Sequence, residues 1–369
     1  MSSTEALAGF TTVQIPTSRP QRRKVAPFTW HNPVWSDYLA DPFVLRTDGG
    51  YYAYGTASQG SDGRHFPVLY SPDLVNWEYC GGALTPLDSL PAGSQYWAPE
   101  VAERDGVYYL YYSAAPPGDD SQHRLRVAIS RDPAGPFVDS GRLLLPDEGF
   151  TIDGHPFYDR RTDRWFLFYA RDFLDGERVG TGLAVVPLEN DLITVAGTPT
   201  TVLRATADWQ IYERNRDHYG NRWSAWHTLE GPFVVEHDGR YYCFYSGGNW
   251  QNPGYGIGYA VADDPLGPWH ESAAPVLVAN TLADKRDDVG ATVSSARVLT
   301  TCEDVGIYGP GHNSVVLAPD GATEMLVYHA WDADGTARRM HLDPLIWTAD
   351  GPRCDGPAIG ERSVTLRSV

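Results

Sequence analysis

The stretch Leu229 to Ser246, LEGPFVVEHDGRYYCFYS, sets the pattern for the whole chain. A carboxylate, Glu230, opens it and a Gly-Pro corner follows. The apolar run Phe233 to Val235 reads as a strand, the His237-Asp238-Gly239 segment as a turn, and Tyr241 to Tyr245 as an aromatic second strand. An Asp-Gly pair between two such runs is a hairpin signal. The same sentence recurs. Asp41 to Thr56 reads DPFVLRTDGGYYAYGT, and Trp97 to Ser113 reads WAPEVAERDGVYYLYYS. Asp153 to Ala170 reads DGHPFYDRRTDRWFLFYA, and His312 to Ala330 reads HNSVVLAPDGATEMLVYHA. The copies start roughly 55 to 80 residues apart, which leaves room for two further strands in each unit.

A second, weaker repeat lies in those gaps: SPDLVNW (Ser71 to Trp77), SRDPAGPF (Ser130 to Phe137) and ADDPLGPW (Ala262 to Trp269). Four strands per unit, five units and no long amphipathic helix predict an all-β, five-bladed β-propeller. In that fold the first strand of each blade lines a central channel. The heads of the hairpins, Asp41, Glu100, Asp153, Glu230 and His312, are then expected to face one axis.

Composition narrows the field. The chain has 369 residues, is 42% hydrophobic and 12% aromatic, and carries a formal net charge of −18. That charge argues against nucleic acid as a partner and gives no reason to expect an anionic membrane surface. No stretch approaches transmembrane length. Residues 1–26 are polar, with Arg22, Arg23 and Lys24 together and no apolar run of signal-peptide length. They read as a disordered tail, or as a source of a strand that closes the ring, and the chain is expected to be cytoplasmic. Residues 27–369 form one propeller in this reading. The four cysteines, Cys80, Cys243, Cys302 and Cys354, contain no CxxC pair and demand no disulfide framework. The segment from Ala274 to Val305 reads as an insertion between the fourth and fifth blades. Asp208 to Trp226, rich in Trp, Tyr, Arg and His, reads either as a solvated loop or as an aromatic wall beside Glu230.

Carboxylates crowded around one channel repel each other and lose solvent, so their pKa values should split. One ionised and one protonated carboxyl is what acid/base hydrolysis of an acetal requires. An acid at a strand start can equally cap a turn or bind an arginine. His312 also admits two readings, a hydrogen-bonded core histidine or a ligand to a hard cation such as calcium. Zinc and iron sites usually show closely spaced His ligands, which are absent here.

With these motifs in this order, the chain resembles glycoside hydrolase family 43 over about residues 27–369. The matching elements are Asp41-Pro42, Trp97 to Glu100, Ile152-Asp153 with Pro156-Phe157, Glu230 to Pro232, and Gly311 to Ser314. The resemblance implies an inverting hydrolase acting on an oligosaccharide. Asp41 would be the general base, Glu230 the general acid, and Asp153 the residue that orients Glu230 and raises its pKa. Trp97 would stack on the sugar; apart from the resemblance, Glu100 as a hairpin head, His155 beside Asp153 and Trp226 in the aromatic stretch are further candidate sugar contacts. Arg339 would reach the site from the last blade, with Arg338 as the alternative. His312 would be the axial histidine near a structural calcium, and no other cofactor is implied. His155 departs from the family pattern, in which many members have Pro and a small residue at Gly154-His155. The first expectation is an exo-acting α-L-arabinofuranosidase. β-Xylosidase, galactofuranosidase and endo-arabinanase are the alternatives, and a non-catalytic sugar-binding propeller is a reading of another class.

Overall fold

Strands of tyrosine, valine and leucine that are apolar on both faces cannot sit at a solvated sheet surface; they need neighbours on either side. The structure, a computed structural model describing residues 27–272, 276–278 and 306–366, meets that need by packing small sheets face against face. Blade one comprises Ala40–Thr47, Gly50–Thr56, His65–Ser71 and Glu78–Leu84. Blade two comprises Gln95–Arg104, Val107–Ala115, Arg124–Ser130 and Val138–Leu143. Blade three runs Thr151–Asp159, Arg164–Phe173, Gly180–Leu188 and Thr200–Leu203. Blade four runs Asn221–His237, Arg240–Gly247, Gly256–Ala262 and His270–Glu271. Blade five runs Tyr308–Leu317, Glu324–Trp331, Arg338–Thr348 and Gly351–Cys354. The first strand of each blade touches the first strand of the next, and the fifth touches the first. The ring is therefore closed, and the fold is the expected five-bladed propeller.

The core lies in the seams between blades. Tyr111 and Val127 of blade two meet Leu167, Tyr169 and Val186 of blade three. Val44, Ala53 and Leu69 of blade one meet Val327 and Leu342 of blade five. The ring is locked by the chain's two ends: Phe28–Asn32 pairs antiparallel with Gly360–Val364. From that strand Trp30 Nε1 donates to the Leu342 carbonyl at 2.6 Å, and the Asn32 side chain both donates to and accepts from the Leu342 backbone at 2.9 Å. The expectations for residues 1–26, for most of the insertion between blades four and five, and for Cys302 fall outside the described residues. Cys80, Cys243 and Cys354 are free thiols.

Two parts of the chain differ from expectation. Asp208 to Trp226 is not a loop. After a short 3₁₀ turn, Ile211–His218 pairs with the first half of Asn221–His237, extending the inner strand of blade four into a long hairpin above the ring. Alternating exposure along Ile211–His218 shows why the residues read as a loop: half of that strand faces solvent.

The second difference concerns the hairpin heads. Each inner strand breaks register at an equivalent place, where two of its residues face one residue of the next strand; that of blade five has a second break, between Tyr308 and Gly311. The paired residues are Asp41-Pro42, Ala98-Pro99, Asp153-Gly154, Gly231-Pro232 and His312-Asn313. The first of each pair has a left-handed backbone, with φ of 52°, 49°, 57°, 57° and 48°. These are five copies of one β-bulge, a device that re-aims side chains. Asp41, Asp153 and His312 are thus equivalent, but Glu230 precedes the bulge and Glu100 follows it. The four acids do not share one repeat position.

Asp, Asn, His and Gly tolerate left-handed backbone better than Ala does. Ala98→Gly should hold the unfolding free energy within about 1 kcal/mol, since relief of ~1–2 kcal/mol of strain offsets the lost methyl group and added chain entropy. Ala53→Gly, at a buried and regular strand position, should lose about 1–2 kcal/mol. Urea unfolding of both variants compares them; equal losses would contradict the assignment of strain to position 98.

Candidate active site

The bulges turn Asp41, Asp153 and His312 into the mouth of the channel. There they line one cavity of about 910 Å³ together with Glu230, Arg338 and Trp97. Asp41 and Asp153 are 9% and 6% exposed, so neither carboxylate is solvated in the ordinary way. His312 Nδ1 lies 3.5 Å from Asp41 Oδ1 and 4.0 Å from Asp153 Oδ2. Burial works against a charged imidazole, but the surrounding carboxylates outweigh it and raise the His312 pKa.

Asp41 is the most strongly compensated acid. Burial alone would raise its pKa, yet the cations His312 and Arg338 hold it well below the usual carboxylate range. Its own backbone N–H donates to His329 Nδ1 at 3.0 Å. That nitrogen therefore carries no proton, and its 3.3 Å approach to Asp41 Oδ1 is not an ion pair. His329 is fully buried, and burial pushes its pKa down to about 4, so it is a neutral, fixed acceptor.

Glu230 has the opposite environment. Burial raises its pKa, and the neighbouring carboxylate Asp153 raises it further. Tyr255 donates its hydroxyl to Glu230 Oε1 at 2.7 Å, which partly stabilises the ionised form. Asp153 accepts from the Gly231 N–H at 2.9 Å, fixing the backbone beside Glu230. Its own pKa is raised, by burial first, with the Asp41 charge adding to it. The two acids titrate as a pair. Two glycines permit this packing. A Cβ on Gly311 would stand 1.9 Å from Tyr255 Cε1, and one on Gly231 would stand 3.2 Å from the His312 ring.

The arginine from the last blade is Arg338, not Arg339. Adjacent strand residues point to opposite faces, so only one of the two can reach the channel. Arg338 Nη1 lies 3.4 Å from Asp41 Oδ1, and the Nε and Nη2 atoms donate to Tyr38 Oη at 3.1 and 2.8 Å. Its guanidinium sits 4.3 Å from the Trp250 ring centre. Arg339 pairs with Asp332 at 3.0 Å and does not line the cavity.

Two further expectations are corrected. Glu100 and His155 occupy equivalent positions immediately after their bulge pairs, and neither lines the cavity. His155 Nε2 accepts from the Val234 N–H at 3.0 Å, so Nδ1 carries the proton and donates to Glu100 Oε2 at 2.6 Å. The pair closes a belt across blades two, three and four. His155 packs on Phe233 with ring centres 4.4 Å apart, and Phe233 in turn lies 6.4 Å from Phe43. Trp97 does line the cavity, stacked at 3.6 Å on His123. Trp226 is buried and borders a smaller adjoining space. The residues that sequence reasoning missed are Tyr38, Tyr212, Trp250 and Tyr255. Only Tyr212 lies in a stretch singled out for its aromatics.

His312 is engaged with carboxylates that favour its protonated form, whereas a metal ligand must be the neutral ring. Among the described residues no three His, Cys, Asp or Glu side chains gather as a cation site. Protein side chains alone therefore supply no calcium site at His312 among the described residues.

A family model, that of glycosyl hydrolases family 43, matches residues 30–352. The chain is 27% identical over 342 residues to an extracellular exo-α-(1→5)-L-arabinofuranosidase of Streptomyces avermitilis; the match covers 88% of this chain and 62% of that enzyme. It is 27% identical over 341 residues to a β-D-galactofuranosidase of Aspergillus niger, covering 87% of this chain and 83% of the relative. A crystal structure of a thermostable family-43 glycoside hydrolase superposes with a TM-score of 0.73 at 30% identity, covering 92% of this chain and all of that one. These relatives overturn the cytoplasmic expectation: the Streptomyces enzyme is extracellular, as is an endo-α-(1→5)-L-arabinanase of Thermotoga petrophila. No helix among the described residues is long and apolar enough to cross a membrane. The closed ring, the acids gathered at its mouth and the match across nearly the whole chain lead to one assignment: the protein belongs to glycoside hydrolase family 43, the inverting O-glycosyl hydrolases.

Proposed function

We propose that the protein is an exo-acting α-L-arabinofuranosidase that removes terminal sugars from plant-derived oligosaccharides with inversion. One observation carries the chemistry: within a single cavity, Asp41 is held ionised and Glu230 is held protonated. Asp41 takes a proton from a water molecule as that water attacks the anomeric carbon. Glu230 gives its proton to the departing glycosidic oxygen, and the sugar is released with inverted configuration. The two residues stand on blades one and four, which are not neighbours in the ring, so a water and a sugar can lie between them. Asp153 positions Glu230 through Gly231 and keeps its proton in place by charge. His312 and Arg338 hold Asp41 as a base and do not carry the proton themselves. The Streptomyces avermitilis exo-arabinofuranosidase supports the choice of sugar. The Aspergillus niger relative makes β-D-galactofuranosides the second substrate to test.

Glu230→Ala should abolish hydrolysis of oligosaccharides, whose leaving groups need the proton, and spare an activated aryl α-L-arabinofuranoside more. Equal losses on both would remove Glu230 from the acid role. Asp41→Ala should remove turnover of both substrates and leave binding nearly intact.

The alkaline limb of kcat/KM should follow loss of the Glu230 proton. It should lie above the ordinary glutamic acid range, at about 8. Tyr255→Phe removes a donor to the ionised carboxylate, so that limb should move to higher pH. Movement to lower pH would contradict the hydrogen bond's role.

Arg338→Ala should lower kcat/KM at least about a hundredfold, the scale of losing a buried charge-assisted contact of ~3 kcal/mol. Arg339→Ala should stay within a few-fold of wild type. The reverse order would return the arginine's role to Arg339.

A further inference from the structure

The cavity at the channel mouth does not end at Glu230. A small space of about 90 Å³ adjoins it and shares Trp97, Tyr212, Trp250 and Glu230 with it. This space touches Glu230 but neither Asp41 nor Asp153. Beyond it lies a third hollow of about 600 Å³. The small space and the third hollow share Ser121, Phe150 and Asp172. Their shared lining residues place the three in a row, a track that leads from the catalytic cavity past Glu230. Because Glu230 protonates the leaving oxygen, whatever lies beyond it, away from Asp41, belongs to the leaving group.

The walls of this track are built and fixed. The long hairpin of blade four flanks it, and its tip residue Tyr219 donates to Asp172 Oδ2 at 2.7 Å, while Thr181 donates to Asp172 Oδ1 at 2.8 Å. The charges of the far hollow are largely compensated: Arg171 pairs with Glu148 at 2.6 Å and Asp175 with Arg204 at 3.0 Å. Arg124 donates to the backbone carbonyls of Ser121 and His123 at 3.2 and 2.8 Å. Phe150, Phe173 and Tyr219 add ring surface among these polar groups. Such a lining suits a neutral polyhydroxylated chain, with ring faces for its C–H surfaces and polar groups for its hydroxyls; it offers no surplus charge to an anion.

We propose that the hollow at Phe173 and Tyr219 is a distal saccharide-binding site for the leaving portion of the substrate, so that the enzyme selects oligosaccharides by length. This rests on the functional reading above and names the part of the substrate that the reading leaves open. Its test is kcat/KM on linear α-1,5-linked arabino-oligosaccharides of two to five units, beside an aryl α-L-arabinofuranoside too short to reach the hollow. Wild type should gain about tenfold with length before reaching a plateau. Gly149→Trp fills the hollow from open space, since a Cβ there meets no atom within 4 Å. It should erase the gain and leave the aryl substrate unchanged. Tyr219→Ala, which removes a ring from the same wall, should do likewise. A flat length series in wild type, or a gain that survives both variants, overturns the site while leaving the hydrolase reading intact. Failure to turn over either the aryl substrate or any oligomer overturns the functional reading and this site with it.

Discussion

Everything at the functional end of this molecule depends on one backbone feature repeated around a ring. A regular strand points alternate side chains into opposite seams, and neither direction is the channel mouth. The shared bulge of the inner strands breaks that alternation, and turns Asp41, Asp153 and His312 toward the channel mouth. Five copies of the device converge on one small volume. The five positions carry different residues: two aspartates, one histidine, one alanine and one glycine. Where the bulge carries glycine, the acid comes from the residue before it, Glu230, which approaches the centre from the hairpin side. The asymmetry between base and acid thus arises from which residue relative to the bulge supplies the carboxyl.

The convergence has an electrostatic cost that the surrounding residues offset unevenly, and that unevenness is the chemistry. Three carboxyls, one imidazole and one guanidinium share a space with little solvent. The two cationic side chains both lie against Asp41, so one acid keeps its charge against burial. Glu230 receives a neutral tyrosine hydroxyl and the field of Asp153 instead, so it keeps its proton. Identical side-chain chemistry gives a base and an acid because the partners differ. The Glu100–His155 pair and the rings of Phe43 and Phe233 stay out of this layer and do not line the cavity.

Much of this is readable in the residues. Repeated Asp-Gly turns between apolar and aromatic runs give the blades and their number, because hairpin chemistry is local. The acids Asp41, Asp153 and Glu230 are also recoverable from their motifs. What the sequence conceals is parity. A bulge shifts every following residue by one position, so Glu100 looks equivalent to Asp41 although it does not line the cavity. Arg338 and Arg339 differ only in which way a strand faces, and no neighbouring residue in sequence reports that. Tyr255 and Trp250 lie in the short Gly- and Asn-rich connection after the second strand of blade four; their importance comes from partners distant in sequence, Glu230 on the inner strand of the same blade and Arg338 on blade five. The hairpin from Ile211 onward reads as a loop because its outer strand is half exposed.

The leaving-group track and the catalytic cavity together describe a hydrolase with a deep, charged centre and a long, neutral flank formed by the blade-four hairpin. The proposed reaction requires opposite protonation of Asp41 and Glu230 in one cavity. The direct measurement is a carbon-13 NMR titration of the side-chain carboxyls, with Asp41→Asn and Glu230→Gln spectra assigning the two signals. Asp41 should stay ionised to the acid limit of the fold, and Glu230 should titrate well above the ordinary glutamic acid range. Titration of both in the ordinary range, or Asp41 above Glu230, would contradict the assignment of base and acid.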